Sequence, residues 1–205
     1  VGLINCASQG LQINLHGKTA HAAEPEAGTS PAMAVARLLP ALSALGAGGQ
    51  LDEAFRLATV THVQIGEPTF GIAPADAVIN VTLRAAEDAA LAEMVEAARA
   101  LAEVEAKRDG LQLSSADCDV FTASVNDAGA TAVAQRAMNA LGVPHGEGGL
   151  PMRASEDFGV FGWRAKAAML CLGPGEDHAA LHNPDYDFPD DLIPIGAADN
   201  TDSPD

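Results

Sequence analysis

Basic residues are scarce in this chain of 205 residues: 11 Lys and Arg stand against 28 Asp and Glu, a formal net charge of −17. So acidic a surface repels phosphate backbones and anionic lipid, which argues against nucleic-acid and membrane partners. No apolar run approaches the roughly 20 residues that a membrane-spanning helix needs. Cysteine is sparse too. Cys6, Cys118 and Cys171 are odd in number and lack metal-ligand spacing, the pattern of buried thiols in a reducing, cytoplasmic compartment rather than of a disulfide framework. There is no Gly-x-Ser-x-Gly elbow and no cysteine in an electropositive setting, so nucleophilic catalysis is unsupported. The sequence opens on Val1-Gly2-Leu3-Ile4-Asn5, with no initiator Met and no charged n-region before an apolar stretch, the opening expected of a segment from within a longer polypeptide. Aromatics are few at 4 %, yet hydrophobic residues reach 48 %, mostly Ala, Leu and Val, so the chain has the apolar content of a folded protein.

In the first half, residues 11–16 alternate apolar and polar as a half-buried strand does. Gly17 ends that strand, and a loop carrying Gly, Pro and acids follows. Ser30-Pro31 reads as a helix start, a hydroxyl cap before proline. Val35, Leu38, Leu39, Leu42 and Leu45 then share one helical face. Pro40 inside that face predicts a kink or a split. Residues 57–65 and 77–83 alternate again and are rich in β-branched residues. Asp88 is the expected cap of a long helix burying Leu91, Met94, Val95, Ala98, Leu101 and Ala102. Lys107 and Arg108 suit its C-terminal dipole, and Gly110 ends it. Residues 111–120 are a last strand. Strand, helix, strand, strand, helix, strand is the split βαβ, ferredoxin-like order of four antiparallel strands with two helices on one face.

The second half reads differently. Asn126-Asp127 caps a helix over 128–141 that stops at Gly142. Ser155-Glu156-Asp157 predicts a second helix start, with acids against the dipole. Residues 167–172 are continuously apolar, as in a fully buried strand. Helix, helix and buried strand make the edge of a three-layer α/β domain, too little for a whole one. From Glu176 to Asp205 there are nine acids and no Lys or Arg, which predicts a solvated, partly disordered tail. The expected division is a domain at 9–121, a partial α/β domain from 1–8 and 122–196, and an acidic tail at 197–205.

Few constellations carry chemistry. Gly17-Lys18-Thr19 has the end of a phosphate-binding loop, but the required earlier glycine is Gln12, which removes that motif. His21 sits in the loop directly after a strand, where it is either a surface residue or an aimed imidazole. His178 and His182 have the i, i+4 spacing of zinc ligands, although Pro174-Gly175 and Pro184 set them in a loop. Arg84 and Arg153 present planar forks suited to a carboxylate or to a structural ion pair.

Two stretches together are more specific. Gly17-Lys18-Thr19-Ala20-His21-Ala22-Ala23-Glu24-Pro25, followed by Gly28, Ser30 and Pro31, resembles the lid-domain opening of the M20 metallopeptidase and amidohydrolase family. Its hippurate hydrolase and N-acyl-amino-acid amidohydrolase branch is the nearest likeness. Ser155-Glu156-Asp157-Phe158, Leu172-Gly173-Pro174-Gly175 and His182-Asn183-Pro184-Asp185-Tyr186-Asp187-Phe188, with Asp190-Asp191 behind, look like that branch's C-terminal signature. The resemblance implies a ferredoxin-like lid inserted in a metallohydrolase domain that carries two zinc or manganese ions. It implies a metal-ligand role for His182, oxyanion stabilisation by His21 across a dimer interface, and substrate binding by Arg84, which matches the arginine closing the third lid strand. Arg153 is the second expected substrate contact. Gly71 stands where the family has Asn. The family's N-terminal half, with the other metal ligands and a general-base glutamate, has no counterpart here, so the metal site is expected to be incomplete. The expected function is thus a fragment of a metal-dependent amidohydrolase acting on N-acyl amino acids or small peptides, homodimeric through its lid and inactive alone. The alternative is a non-catalytic dimerisation or interaction module.

Overall fold

The computed structural model describes residues 1–181 and 183–201. In chain order its elements are β1 (Gly2–Asn5), β2 (Ala7–His16), β3 (Ala20–His21), α1 (Ala32–Ser43), β4 (Arg56–Ile65), β5 (Ile72–Ala73), β6 (Asp76–Ala85), α2 (Asp88–Asp109), β7 (Gln112–Phe121), β8 (Ser124–Asn126), α3 (Ala128–Leu141) and α4 (Leu192–Thr201). Short 3-10 turns cover Pro25–Ala27 and Asp157–Trp163.

The alternating stretches pair as one antiparallel sheet in the order β4-β6-β2-β7. The inward set, Leu11, Ile13 and Leu15 of β2 with Ile79, Val81 and Leu83 of β6, meets Val35, Leu38 and Leu42 of α1. Leu91, Met94, Val95, Ala98 and Ala102 of α2 close the same core. Each fully buried aliphatic side chain there contributes about 1.5–3 kcal/mol, an upper bound because the unfolded chain already hides some surface. The expected βαββαβ order is therefore the observed one, within a mixed α/β chain. Arg37 of α1 ties the two helices together, donating through Nε to Glu105 and through Nη2 to Asp109. Those two bonds, first Glu105 and then Asp109, hold its pKa above the ordinary arginine value.

Several local expectations are corrected. Helix α1 runs unbroken through Pro40; the proline falls close to the C-terminal end, where few turns remain to be disturbed. Asp88 is the first residue of α2 and Glu87 takes the capping position. The Asp88 carboxylate instead accepts from the Thr122 hydroxyl and from the Ala123 N–H at 2.8 Å, tying the start of α2 to the end of β7. The Ser155-Glu156-Asp157 stretch opens a 3-10 turn rather than an α-helix. Residues 167–172 form no strand, and Leu170 and Leu172 are exposed. A continuously apolar strand needs neighbours on its edges and cover on both faces. Here Ala167 O accepts from Asp127 N at 2.9 Å and Met169 pairs with the Asn126 amide, which together hold the run from one side. Backbone helicity reaches Thr201 within the expected tail, whose residues 202–205 lie outside the described ones. Cys6 is buried as expected, but Cys118 and Cys171 are exposed: one lies on the edge strand β7 and the other on the unpaired apolar run.

Helix α3 follows its sequence signals closely. Asp127 accepts from the Ala130 N–H at 2.9 Å, and Gly142 takes a left-handed conformation at φ 70°. Among the described residues no helix is long and apolar enough to cross a membrane.

Candidate functional site

The loop carrying His21 is pinned at its base by a close crossing of two backbones. Lys18 and Thr29 exchange N–H···O bonds of 3.0 and 2.8 Å, and Gly17 N donates to Ala75 O at 2.7 Å. A Cβ on Gly17 would lie 2.0 Å from Thr29 O, and one on Gly28 would lie 2.5 Å from Lys18 O. Only glycine fits at this crossing.

At the far end of the loop, β3 pairs with β5 and sets His21 opposite Ile72. The Ala23 N–H donates to His21 Nδ1 at 3.0 Å. A backbone amide can only donate, so Nδ1 is the acceptor and the neutral ring carries its proton on Nε2. The imidazole is exposed. The loop thus presents an outward N–H donor on a fixed backbone.

The two arginines lie elsewhere. Arg84 is near the end of β6, opposite Ser8 of β2 and Leu57 of β4. Its Nη1 donates to Arg153 O at 3.0 Å and to Ser155 Oγ at 3.1 Å. Arg153 in turn donates to Gly49 O and holds its guanidinium 5.5 Å above the Phe55 ring, a cation–π contact. Cys6 donates its thiol to Arg153 O at 3.0 Å. Burial pushes that thiol pKa up, with Arg84 and Arg153 pulling the other way. The sequence marks both arginines and Ser155, but not Gly49 or Phe55, which lie far from Arg153 along the chain. Among the described residues neither guanidinium is paired with a carboxylate, although acids outnumber bases in this chain by more than two to one.

His21 and Arg84 are not brought together. The His21 loop is anchored beside Ala75 and Asp76, where β6 begins. Arg84 stands eight residues further along that strand. At about 3.3 Å per residue, Arg84 lies roughly 25 Å along the strand from the base of that loop, more than a small acyl amino acid spans.

The C-terminal candidates are dispersed. His178 stacks edge-on against Tyr186 at 5.2 Å between ring centroids, and its Nδ1 lies 3.0 Å from Ala179 O. His182, the expected metal ligand, lies outside the described residues. Among the described residues no group of three or more His, Cys, Asp or Glu could hold a metal ion. A cleft of about 480 Å³ lies between the end of β7, β8 and the 3-10 turn, lined by Asp88, Thr122, Asn126, Trp163 and Lys166 among others. None of the candidate residues lines it.

Residues 45–198 match the peptidase family M20/M25/M40. The chain belongs to that family. Solved structures with the same fold include a hydantoinase/carbamoylase family amidase from Burkholderia ambifaria, 22 % identical with a TM-score of 0.59, the match covering 82 % of this chain and 44 % of that one. A tripeptidase from Staphylococcus aureus is 18 % identical with a TM-score of 0.59, covering 79 % of this chain and 42 % of that one. An aminobenzoyl-glutamate utilization protein from Klebsiella pneumoniae is 21 % identical with a TM-score of 0.57, covering 65 % and 33 %. The M20 chain described here therefore spans a third to less than half of the length of these structures. M20 family members are generally metal-dependent, and the described residues of this chain do not supply a ligand set.

Proposed function

We propose that this chain is the lid and the C-terminal part of the catalytic domain of an M20 amidohydrolase that cleaves the amide bond of N-acyl amino acids or small peptides. The observation that carries the reading is the His21 loop: a pinned backbone, a tautomer set by the Ala23 N–H, and an outward Nε2–H. Such a donor matches the need of an amide carbonyl oxygen that gains negative charge under attack. Arg84 has used one nitrogen on Arg153 O and Ser155 Oγ, and the rest of its fork is suited to the substrate carboxylate. Arg153, seated on Phe55, adds a second positive charge beside it.

The roughly 25 Å of strand between the base of the His21 loop and Arg84 has a consequence for assembly. One amide and its own carboxylate reach both groups only if they come from different copies. A homodimer built on the lid meets that requirement. Strand β4 is an edge of the sheet, and residues 57–65 bear no Asp, Glu, Lys, Arg or Pro. Such an edge is open to antiparallel pairing with a second copy.

The metal pair, two zinc or manganese ions, requires ligands beyond those described. His182 is the residue of this chain assigned to it. The polypeptide by itself is inactive on this reading, and the activity is that of a longer, cytoplasmic parent, a reading supported by the odd number of cysteines and the lack of a disulfide framework in the sequence. The competing reading is a non-catalytic dimerisation module, favoured by the lack of a ligand set among the described residues.

Two variants of the parent separate these readings. His21→Ala is expected to keep metal content and fold while kcat falls about 10²–10³-fold. His182→Ala is expected to lose metal. Unchanged kcat in His21→Ala removes the catalytic role of the loop. Hydrolysis by the purified 205-residue chain, with metal added, removes the fragment reading.

A further inference from the structure

We propose that Ser155 is a positioning residue for substrate binding: with the Arg153 carbonyl it holds Arg84 by one nitrogen and turns the Nε–Nη2 edge of the guanidinium to the substrate carboxylate. The proposal rests on the reading of Arg84 given above.

An arginine ends in a planar fork of five N–H donors, two on each Nη and one on Nε. In Arg84 a single nitrogen donates twice: Nη1 reaches Arg153 O at 3.0 Å and Ser155 Oγ at 3.1 Å. Both of its protons are thereby taken. What remains is the Nε–Nη2 edge, whose two parallel N–H groups match the two oxygens of a carboxylate. Among the described residues no Asp or Glu pairs with Arg84.

The anchor is held from β1, outside the four-stranded sheet that carries Arg84. Met152 N donates to Ile4 O at 2.7 Å, and Cys6 N donates to Met152 O at 3.3 Å. The fully buried Cys6 thiol donates to Arg153 O at 3.0 Å. That carbonyl oxygen therefore accepts from Cys6 and from Arg84 at once, which uses both of its lone pairs. A carbonyl so fixed sets where Nη1 lies, but one contact leaves the fork free to turn about it. The half-buried Ser155, two residues on, supplies the second contact. Two acceptors on one nitrogen fix the plane of the guanidinium. Without the Ser155 hydroxyl, the substrate carboxylate meets an arginine that it must order on binding, which weakens its hold. The scissile amide is untouched by that loss.

The test uses the metal-loaded parent enzyme with N-benzoylglycine and its uncharged carboxamide, two substrates that share one scissile amide. The ratio of their kcat/KM values reads the contribution of the carboxylate. Arg84→Ala is expected to abolish the preference for the free acid. Ser155→Ala is expected to lower the ratio about three- to tenfold, the scale of one hydrogen bond, with the loss appearing in KM. Ser155→Thr keeps a hydroxyl and should restore most of the ratio. Cys6→Ala loosens the Arg153 carbonyl and should lower the ratio in the same direction. A ratio unchanged in Ser155→Ala, or in Cys6→Ala where Ser155→Ala does not fold, overturns the positioning role. Loss of the preference in Arg84→Ala alongside that result keeps the role of Arg84. Equal losses on both substrates in Ser155→Ala also overturn the proposal, by making Ser155 a structural residue of the 3-10 turn that follows. An unchanged ratio in Arg84→Ala overturns the reading beneath it as well.

Discussion

The sheet-and-helix unit ending at Phe121 and the stretch that follows it have similar apolar content but treat it in opposite ways. In the first, the inward residues of β2 and β6 and the facing stripes of α1 and α2 are buried almost without remainder. In the second, Phe161, Trp163, Leu170, Leu172, Leu181 and Phe188 all remain exposed. The difference lies in where the covering surface comes from. Alternation with period 2 or 3.6 encodes an element with one face to hide, and the partners for those faces lie within the same 115 residues or so. A continuous apolar run encodes an element hidden on every side. The stretch from residue 122 onward has one such run and too few neighbours among the described residues to cover it.

The largest expected effect strikes the first region. Leu38 is fully buried between α1 and the sheet, so Leu38→Ala removes transfer free energy and leaves a cavity. Urea denaturation followed by circular dichroism is expected to show a loss of about 2–5 kcal/mol. A loss below about 1 kcal/mol would mean that this core is as loosely covered as the C-terminal stretch, and the contrast between the two would collapse.

A second substitution probes the backbone crossing that holds the His21 loop. Gly17→Ala forces a methyl group to within 2.0 Å of Thr29 O, and backbone must shift to admit it. Overpacking of this kind costs typically about 1–3 kcal/mol, and the amide protons of Lys18 and Thr29 should lose protection in hydrogen exchange. Gly146 and Gly148, in the later stretch, have nothing within 4 Å of a built Cβ, so alanine at either is expected to change stability by no more than about 0.5 kcal/mol. Equal costs at Gly17 and Gly146 would show that the crossing is not a constraint in solution.

These contrasts also explain what was legible in the sequence. Helix α2 is readable because Leu91, Met94, Val95, Ala98, Leu101 and Ala102 repeat on one face and Gly110 ends it, a glycine that takes φ 67° in the structure. Helix α3 was readable from its Asp127 cap and from Gly142. Both signals are local, and local physics decides them. Asp88 went astray because capping chemistry names a residue type and leaves the recipient open; its carboxylate serves Thr122 and Ala123 across space instead. The run at 167–172 went astray because strand formation requires a second strand, which no property of six residues can supply. The site divides along the same line. Gly17, Gly28 and His21 form a contiguous motif, and the residue types already imply a tight loop presenting an imidazole. The setting of Arg84 and Arg153 on Ser155, Gly49 and Phe55 is long-range, joining residues up to 104 apart in sequence, and no motif spacing records it.

The smallest expected effect is the most telling for the comparison. Leu170 is 46 % exposed in the apolar run, so truncation to alanine removes little buried surface and opens no cavity. In the 205-residue chain, Leu170→Ala is expected to cost about 1 kcal/mol or less by urea denaturation, against the several lost at Leu38. On the reading proposed above, the same substitution in the parent hydrolase meets a covered strand and costs about 2–5 kcal/mol, as core leucines do. The difference between the two backgrounds measures how much cover the rest of the protein supplies to this run. A large loss in the chain alone would mean that residues 167–172 find a partner surface without it, through self-association or through a rearrangement of the C-terminal stretch. Repeating the denaturation at a tenfold lower protein concentration separates those two, since only self-association makes the midpoint concentration-dependent.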